Sequence, residues 1–300
     1  MNRRDFLTLL AISLLSTGCR RDLKDKRIGL ALGGGGAKGL AHIPMLEAFD
    51  ELGIRPYRIA GCSIGAVMGA LYASGLSGAQ IRGIIDRLTV SNDENWLETL
   101  FSEDILDWLK FFELSLGKGG IIESDVLVRY LLDLMKVSTF RQLEIPLSVV
   151  ATDFWNRKQI VFDSGNLATA LRATISVPGL FAPVPYKDKF LVDGGLVNPV
   201  PYDLLFDDCD VVVAIDVLGE RTPRTGNSPG YFETTFNTFQ IMQAAVLREK
   251  MRCQAPDIYI KPEIENIRVL EFYKVDEIYQ QSASARDRLY RKLRKYRRRR

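Results

Sequence analysis

The sequence predicts an α/β fold wound on a largely parallel sheet, and three observations carry that reading. The apolar run 27–32 empties into the glycines of 33–39, and a helical pattern follows up to Gly53; strand, glycine loop and helix in that order are half of a βαβ unit. Residues 57–61 form a second short strand that passes at once into the Ala/Gly-rich helical stretch 66–74. Apolar runs then recur at 147–151, 159–162, 190–192 and 210–216. Helical patterns separate most of them, as in a sheet whose strands are buried on both faces.

Taken from the start, the chain opens on a segment of another kind. Arg3 and Arg4 precede Phe6-Leu7 and an apolar run that ends near Leu15, too short to span a bilayer as a permanent helix. The paired arginines resemble a twin-arginine export signal. The run closes on Leu15-Ser16-Thr17-Gly18-Cys19, which resembles a bacterial lipobox. Residues 1–18 are therefore expected to be a signal peptide and Cys19 the acylated N-terminus. The implied localisation is a membrane-anchored lipoprotein of the outer membrane or cell envelope, on the periplasmic side. Two or more acyl chains hold a protein to a membrane stably where one does not. The polar stretch 19–27 serves as a tether.

The body after the tether has an ordinary globular composition, 47% hydrophobic and 26% charged over 300 residues, enough for one large or two modest domains. Residues 92–120 break the strand–helix rhythm with dense Trp, Phe and Leu, which suits core packing or an apolar cap beside a site for acyl chains. Residues 219–232, with Pro223, Gly226, Pro229 and Gly230, form a loop by composition. The charge is uneven: 286–300 holds ten Lys/Arg against Asp287, a net +9, so a chain of total charge +3 has a body of −6. The tail's Leu289, Tyr290, Leu293 and Tyr296 alternate with its cations at roughly helical spacing. It reads either as an amphipathic helix on anionic lipid or as a solvated terminus. No aromatic-studded module accompanies it, so no nucleic-acid partner is expected. Cys62, Cys209 and Cys253 give neither a disulfide framework nor a metal pattern, and Cys62 reads as a small buried hydrophobe.

The chemistry is concentrated at Gly61-Cys62-Ser63-Ile64-Gly65. A strand reverses this sharply into a helix only if the pivot residue is strained and its neighbours lack side chains. The pivot hydroxyl of Ser63 is then held above the sheet beside the free N–H groups of the new helix. The glycines at 34–39 also satisfy the dinucleotide fingerprint GxGxxG. However, no acidic residue closes the second strand, where the serine pivot stands instead. A nucleotide- or phosphate-binding module using this loop, or a non-catalytic lipid-binding protein, remains an alternative. If the serine is a nucleophile it needs a base. The one histidine, His42, lies a turn down the helix that the loop opens and reads better as loop support. The rival is Asp193 in Val192-Asp193-Gly194-Gly195. It becomes a useful base if burial raises its pKa, and otherwise is a turn residue.

Gly-Gly-Gly-x-Lys-Gly, then Gly-x-Ser-x-Gly, then Asp-Gly-Gly far downstream resembles the patatin-like phospholipases, from about residue 28 to 216. The resemblance includes Ala151-Thr152-Asp153 and the run 173–181. It implies a three-layer α/β/α sandwich with a central, mostly parallel sheet. It also implies a Ser63–Asp193 dyad without histidine and an oxyanion hole of Gly34, Gly35 and Gly36, with Lys38 and Gly39 supporting the loop and Gly61 and Gly65 flanking the elbow. The activity implied is hydrolysis of phospholipid or lysophospholipid esters through an acyl-enzyme, with no metal or organic cofactor. The domain so marked is 28–216. A C-terminal extension, 217–285, packs on it, and 286–300 is the basic tail that the family does not predict.

Overall fold

The computed structural model of the protein describes residues 26–89, 125–219 and 231–296. The leader with Cys19, the apolar segment 92–120, most of the 219–232 loop and the last four arginines lie outside the described residues.

Eight strands form one sheet. They are β1 (Ile28–Leu32), β2 (Arg58–Cys62), β3 (Leu147–Asp153), β4 (Lys158–Phe162), β5 (Val184–Tyr186), β6 (Lys189–Asp193), β7 (Val211–Ile215) and β8 (Ile258–Ile260). Strands β3, β2, β1, β7 and β8 run parallel in that spatial order. Antiparallel β4 and β6 both pair with β3, and β5 with β6. The helices are α1 (His42–Glu51), α2 (Ile64–Ala73), α3 (Gly78–Thr89), α4 (Asp125–Met135), α5 (Leu167–Ile175), α6 (Tyr231–Cys253) and α7 (Val275–Leu293).

Two-residue alternation along the central strands builds two cores. Leu30, Leu32, Ile59, Val211 and Val213 pack with Leu46, Phe49 and Leu71 from the helices on one face. Ala31, Ala60, Val212 and Ala214 face the other way, against Tyr202, Leu205 and Leu247 of α6. Small residues on that second face let a 3-10 turn at Tyr202–Leu205 lie close to the sheet. The result is the expected three-layer arrangement. Helix starts are locally encoded: Asn166 accepts the Thr169 N–H at 2.9 Å ahead of α5, and Ser77 and Gln80 cap α3 reciprocally.

Three findings differ from the sequence reading. Strands β5 and β8, three residues each, carry too little pattern to be seen, and β8 takes the sheet beyond residue 216. Within the described residues, 286–296 of the basic tail are the end of α7 and the 3-10 turn Arg294–Tyr296 that follows it. Its apolar positions Leu289, Leu293 and Tyr296 continue a buried stripe from Val275, Ile278, Ser282 and Ala285. They join the protein's own core instead of facing lipid or water, while Arg286 pairs with Glu51.

One feature of the sheet makes a site possible. Val150 pairs with Cys62 of β2 and with Val161 of β4, so those strands occupy opposite edges of β3. Residues 151–153 pair with β4 and β6, so β6 must share the β2 edge. Strands β2 and β6 therefore meet end to end along β3. Cys62 lies opposite Val150 and Asp193 opposite Ala151, and the residues that terminate the two strands are brought together.

Candidate active site

Ser63 follows β2 directly and caps α2 with φ 53° and ψ −129°, a left-handed conformation that costs a non-glycine residue about 1–3 kcal/mol. The neighbours explain the glycines. A Cβ on Gly61 would strike the backbone of Ala66, and one on Gly65 would strike the carbonyls of Leu32 and Gly33. The strained pivot is held by a relay absent from the motif itself. The Ser63 N–H donates to Thr174 Oγ1 at 2.8 Å, and the Thr174 hydroxyl donates to the Val150 carbonyl at 2.6 Å.

Asp193, at the end of β6, is buried and fixed on several sides. Its N–H donates to the Ser176 carbonyl at 2.9 Å, and its carbonyl accepts from the Thr152 hydroxyl at 2.8 Å. The Gly195 N–H donates to Oδ1 at 2.7 Å. Burial raises the carboxyl to about 6, against the opposing pull of the Ser63 hydroxyl and the Gly195 amide. The Ser63 hydroxyl is thus near enough to stabilise the charge, but among the described residues Oδ2 is buried without a well-formed hydrogen bond. Loose geometry of this kind before substrate arrives is usual for catalytic pairs.

His42 is wholly buried and does not serve this pair. Its Nε2 donates to the Gly33 carbonyl at 2.8 Å, and burial lowers its pKa to about 4, so it stays neutral and ties α1 to the glycine loop. Cys62 is also buried. Its Sγ lies 4.0 Å from Asp193 Oδ1, and burial, then the aspartate, push the thiol well up, which leaves it an inert neighbour.

The glycine loop divides by the direction of its amides. The N–H of Gly33 donates to Ile215, that of Gly34 to Pro199 and that of Ala37 to Val269. Gly34 lines the cleft with its amide taken by Pro199; of the three glycines expected to form an oxyanion hole, Gly35 and Gly36 are the two whose N–H groups go to no backbone carbonyl among the described residues. Both are pressed against the C-terminal half, where a Cβ on Gly35 would strike Val217 and one on Gly36, at φ 59°, would strike Val269. Gly39 is held as closely by Ile64. The buried Lys38 ammonium donates to the Leu218 carbonyl, so it braces the loop from behind.

Ser63, Asp193 and the three glycines line one open cleft of about 500 Å³, counting space open to solvent. Its other walls are largely apolar: Val177, Pro178, Leu196, Val269, and Phe236 and Phe239 from α6, with Gln240 and Gln243 as the polar exceptions. Thr152 and Thr174 fall within runs that carry the family resemblance, but sequence reasoning gave them no role, and it missed the whole α6 wall, for which no local pattern exists. Among the described residues no cluster of His, Cys, Asp and Glu could hold a metal ion.

The chain is 32% identical over 202 residues to an uncharacterized NTE family protein of Mycobacterium tuberculosis, covering 67% of this chain and 52% of that protein. It is 27% identical over 318 residues to lysophospholipase NTE1 of Lodderomyces elongisporus, covering 96% of this chain and 20% of that protein. The chain thus spans about half the length of the mycobacterial relatives and a fifth of the yeast one. A solved structure, VipD from Legionella pneumophila, aligns over 88% of this chain and 67% of its own with a TM-score of 0.47 and 14% identity. Residues 30–206, which carry the glycine loop, the serine elbow and Asp193, match the family model described as Patatin-like phospholipase, and the chain belongs to that family.

Proposed function

We propose that the protein is a serine acyl hydrolase that cleaves carboxylic esters of phospholipids or lysophospholipids through a Ser63–Asp193 dyad. The observation that carries this reading is the buried, partly unpartnered carboxylate of Asp193 beside a strained Ser63 hydroxyl, within one cleft shared with Gly35 and Gly36. Asp193 Oδ2 takes the hydroxyl proton as Ser63 Oγ bonds to the ester carbonyl carbon. The carbonyl oxygen becomes an oxyanion, which the Gly35 and Gly36 amides and the N-terminal end of α2 are placed to stabilise. Collapse breaks the bond to the alcohol, which leaves with the proton from Asp193, and the acyl group stays on Ser63. Water then adds with Asp193 again as base, releasing the fatty acid and restoring the serine. Burial serves this chemistry, because a carboxyl held near 6 is a stronger base than an ordinary one near 4 and is still ionised at neutral pH.

The apolar walls of the cleft suit an acyl chain, and the lysophospholipase named among the relatives favours a substrate with one. Attachment to the cell envelope through acylated Cys19 belongs to the same reading. It is tested by metabolic fatty-acid labelling, which should disappear in Cys19→Ser.

A fluorophosphonate probe should label the purified protein on the peptide that contains Ser63. Labelling and lysophospholipid hydrolysis should vanish in Ser63→Ala, and hydrolysis should fall by about a thousandfold or more in Asp193→Asn. His42→Ala should keep most of the activity. A folded His42→Ala protein as inactive as Ser63→Ala would overturn the dyad.

A further inference from the structure

The loops that follow the parallel strands all leave one end of the sheet, and the cleft opens there. Strand β3 continues three residues past its last pairing with β2, about 10 Å at the usual rise per residue. It carries the β3–β4 turn beyond Ser63 and Asp193. Strand β6 runs antiparallel beside it, with Leu191 opposite Asp153, so the β5–β6 turn reaches the same level. The two hairpin tips are side by side, joined by the Phe154 N–H donating to the Phe190 carbonyl at 2.9 Å.

What these tips display is unlike an ordinary polar turn. Trp155 is 72% exposed, Phe190 48% and Phe154 43%, and the rings of Phe154 and Trp155 meet edge to face at 4.8 Å. The tip is held in shape, since Asp153 accepts from both the backbone and side-chain N–H groups of Asn156. Around the rings stand Arg157, Lys158 and Lys187. None of the three forms an ion pair with a described residue, although Lys187 lies over the Tyr186 ring at 5.3 Å. The anions of the two turns are already occupied, Asp153 by Asn156 and Asp188 by Lys189.

The geometry points to an anionic lipid surface as the partner of this twin-hairpin tip, with Trp155, Phe154 and Phe190 entering the head-group region and the three free cations meeting lipid phosphates. Aromatic rings sit well at that boundary and cations are drawn to it. Other large exposed apolar side chains, Ile241 and Met242 on α6 and Leu270 and Tyr273 beyond Val269, belong to segments that also wall the cleft. A membrane reached by the tips would therefore face the cleft mouth. This surface is independent of Cys19 and of the basic tail, and it does not require the esterase reading.

The test uses the full chain with Cys19→Ser to remove any acyl anchor. Trp96→Phe and Trp108→Phe leave Trp155 as the only indole of the three in the sequence. Vesicles of phosphatidylcholine containing phosphatidylglycerol and a bromine-labelled lipid should quench Trp155 emission and shift it to the blue. Changing Arg157, Lys158 and Lys187 to Gln should raise the lipid concentration for half-quenching on the order of a hundredfold, from roughly a fivefold loss per cation near such a surface. Trp155 emission that stays unquenched on vesicles, whether or not the chain sediments with them, overturns the proposal and leaves the tips to a protein partner. Quenching indifferent to the three substitutions overturns it as well. The readout needs no catalysis, so its failure and that of the esterase reading are told apart.

Discussion

A carboxylate held near 6 inside the fold costs stability whenever it is charged. Asp193 titrates near 3.9 in an unfolded chain and about 6 in the native one. Below about pH 4 both states are protonated and nothing is lost. As pH rises through 6 the native state must carry a buried charge, and the shift is worth about 3 kcal/mol. Asp193→Asn removes that cost, so it should be inactive yet more stable than the native chain above about pH 7. The difference should close towards about pH 4 when denaturant midpoints are followed across the range. A variant equally destabilised at every pH would mean that the carboxylate is structural. The convergence of Ser63 and Asp193 on one cleft was legible because each sits in a short local string with its own steric logic. That the Gly34 amide is satisfied by Pro199, 165 residues away in the sequence, was not legible, because no string reports it. Thr174 was invisible as the anchor of the pivot for the same reason.

Strands of five to seven apolar residues next to glycine turns could be read from the chain, while three-residue β5 and β8 could not. Helix α6 shows the limit more sharply. It has an ordinary mixed composition, yet it supplies the aromatic wall of the cleft. Beside the packing of Leu247 in the second core, a lysine ties it down: the Lys250 ammonium donates to the Asn198 side-chain carbonyl at 2.6 Å and to the Val200 carbonyl at 2.8 Å, pairs with Asp203, and lies 4.3 Å from the Tyr202 ring centroid. Asn198 in turn donates its N–H to Gly194, and Pro199 receives the amide of Gly34. One side chain thus joins the cleft wall to both the aspartate loop and the glycine loop. Lys250→Met keeps the stem's apolar packing and removes the bonds, at a cost of about 2 kcal/mol. Its larger effect should be on KM for long-chain esters, raised several-fold, with a smaller change for a short soluble ester that never reaches Phe236 and Phe239. Equal losses on both substrates would show that α6 does not form the acyl wall.

At the scale of the whole molecule, the region matched by the family carries Ser63, Asp193 and the glycine loop, but chain beyond it completes their surroundings. Val217, Leu218 and Val269 press on the glycine loop, and α7 packs against α1, against β8 and against the turn that the loop opens into. That backing explains why Leu289, Leu293 and Tyr296 of so basic a tail are built into the core. Its cations were legible and its partners were not, because a helical stripe in sequence does not say whether protein or lipid will cover it. The two alternatives are separable. Burial in the protein's own core means that Leu289→Ala, at a fully buried position, should cost about 2–5 kcal/mol. Neutralising the exposed Arg291, Lys292 and Lys295 to Gln should change the unfolding midpoint by no more than about 0.5 kcal/mol each. Truncation after Ala285 removes Leu289, Leu293 and Tyr296 together and uncovers apolar surface of α1. It should lower thermal stability more than Leu289→Ala does, and it should reduce ester hydrolysis even at temperatures where the chain stays folded, since the glycine loop loses its support. Thermal unfolding of the three variants beside short-ester kinetics reads this directly. A truncated chain that melts and hydrolyses like the intact one would return the tail to the membrane.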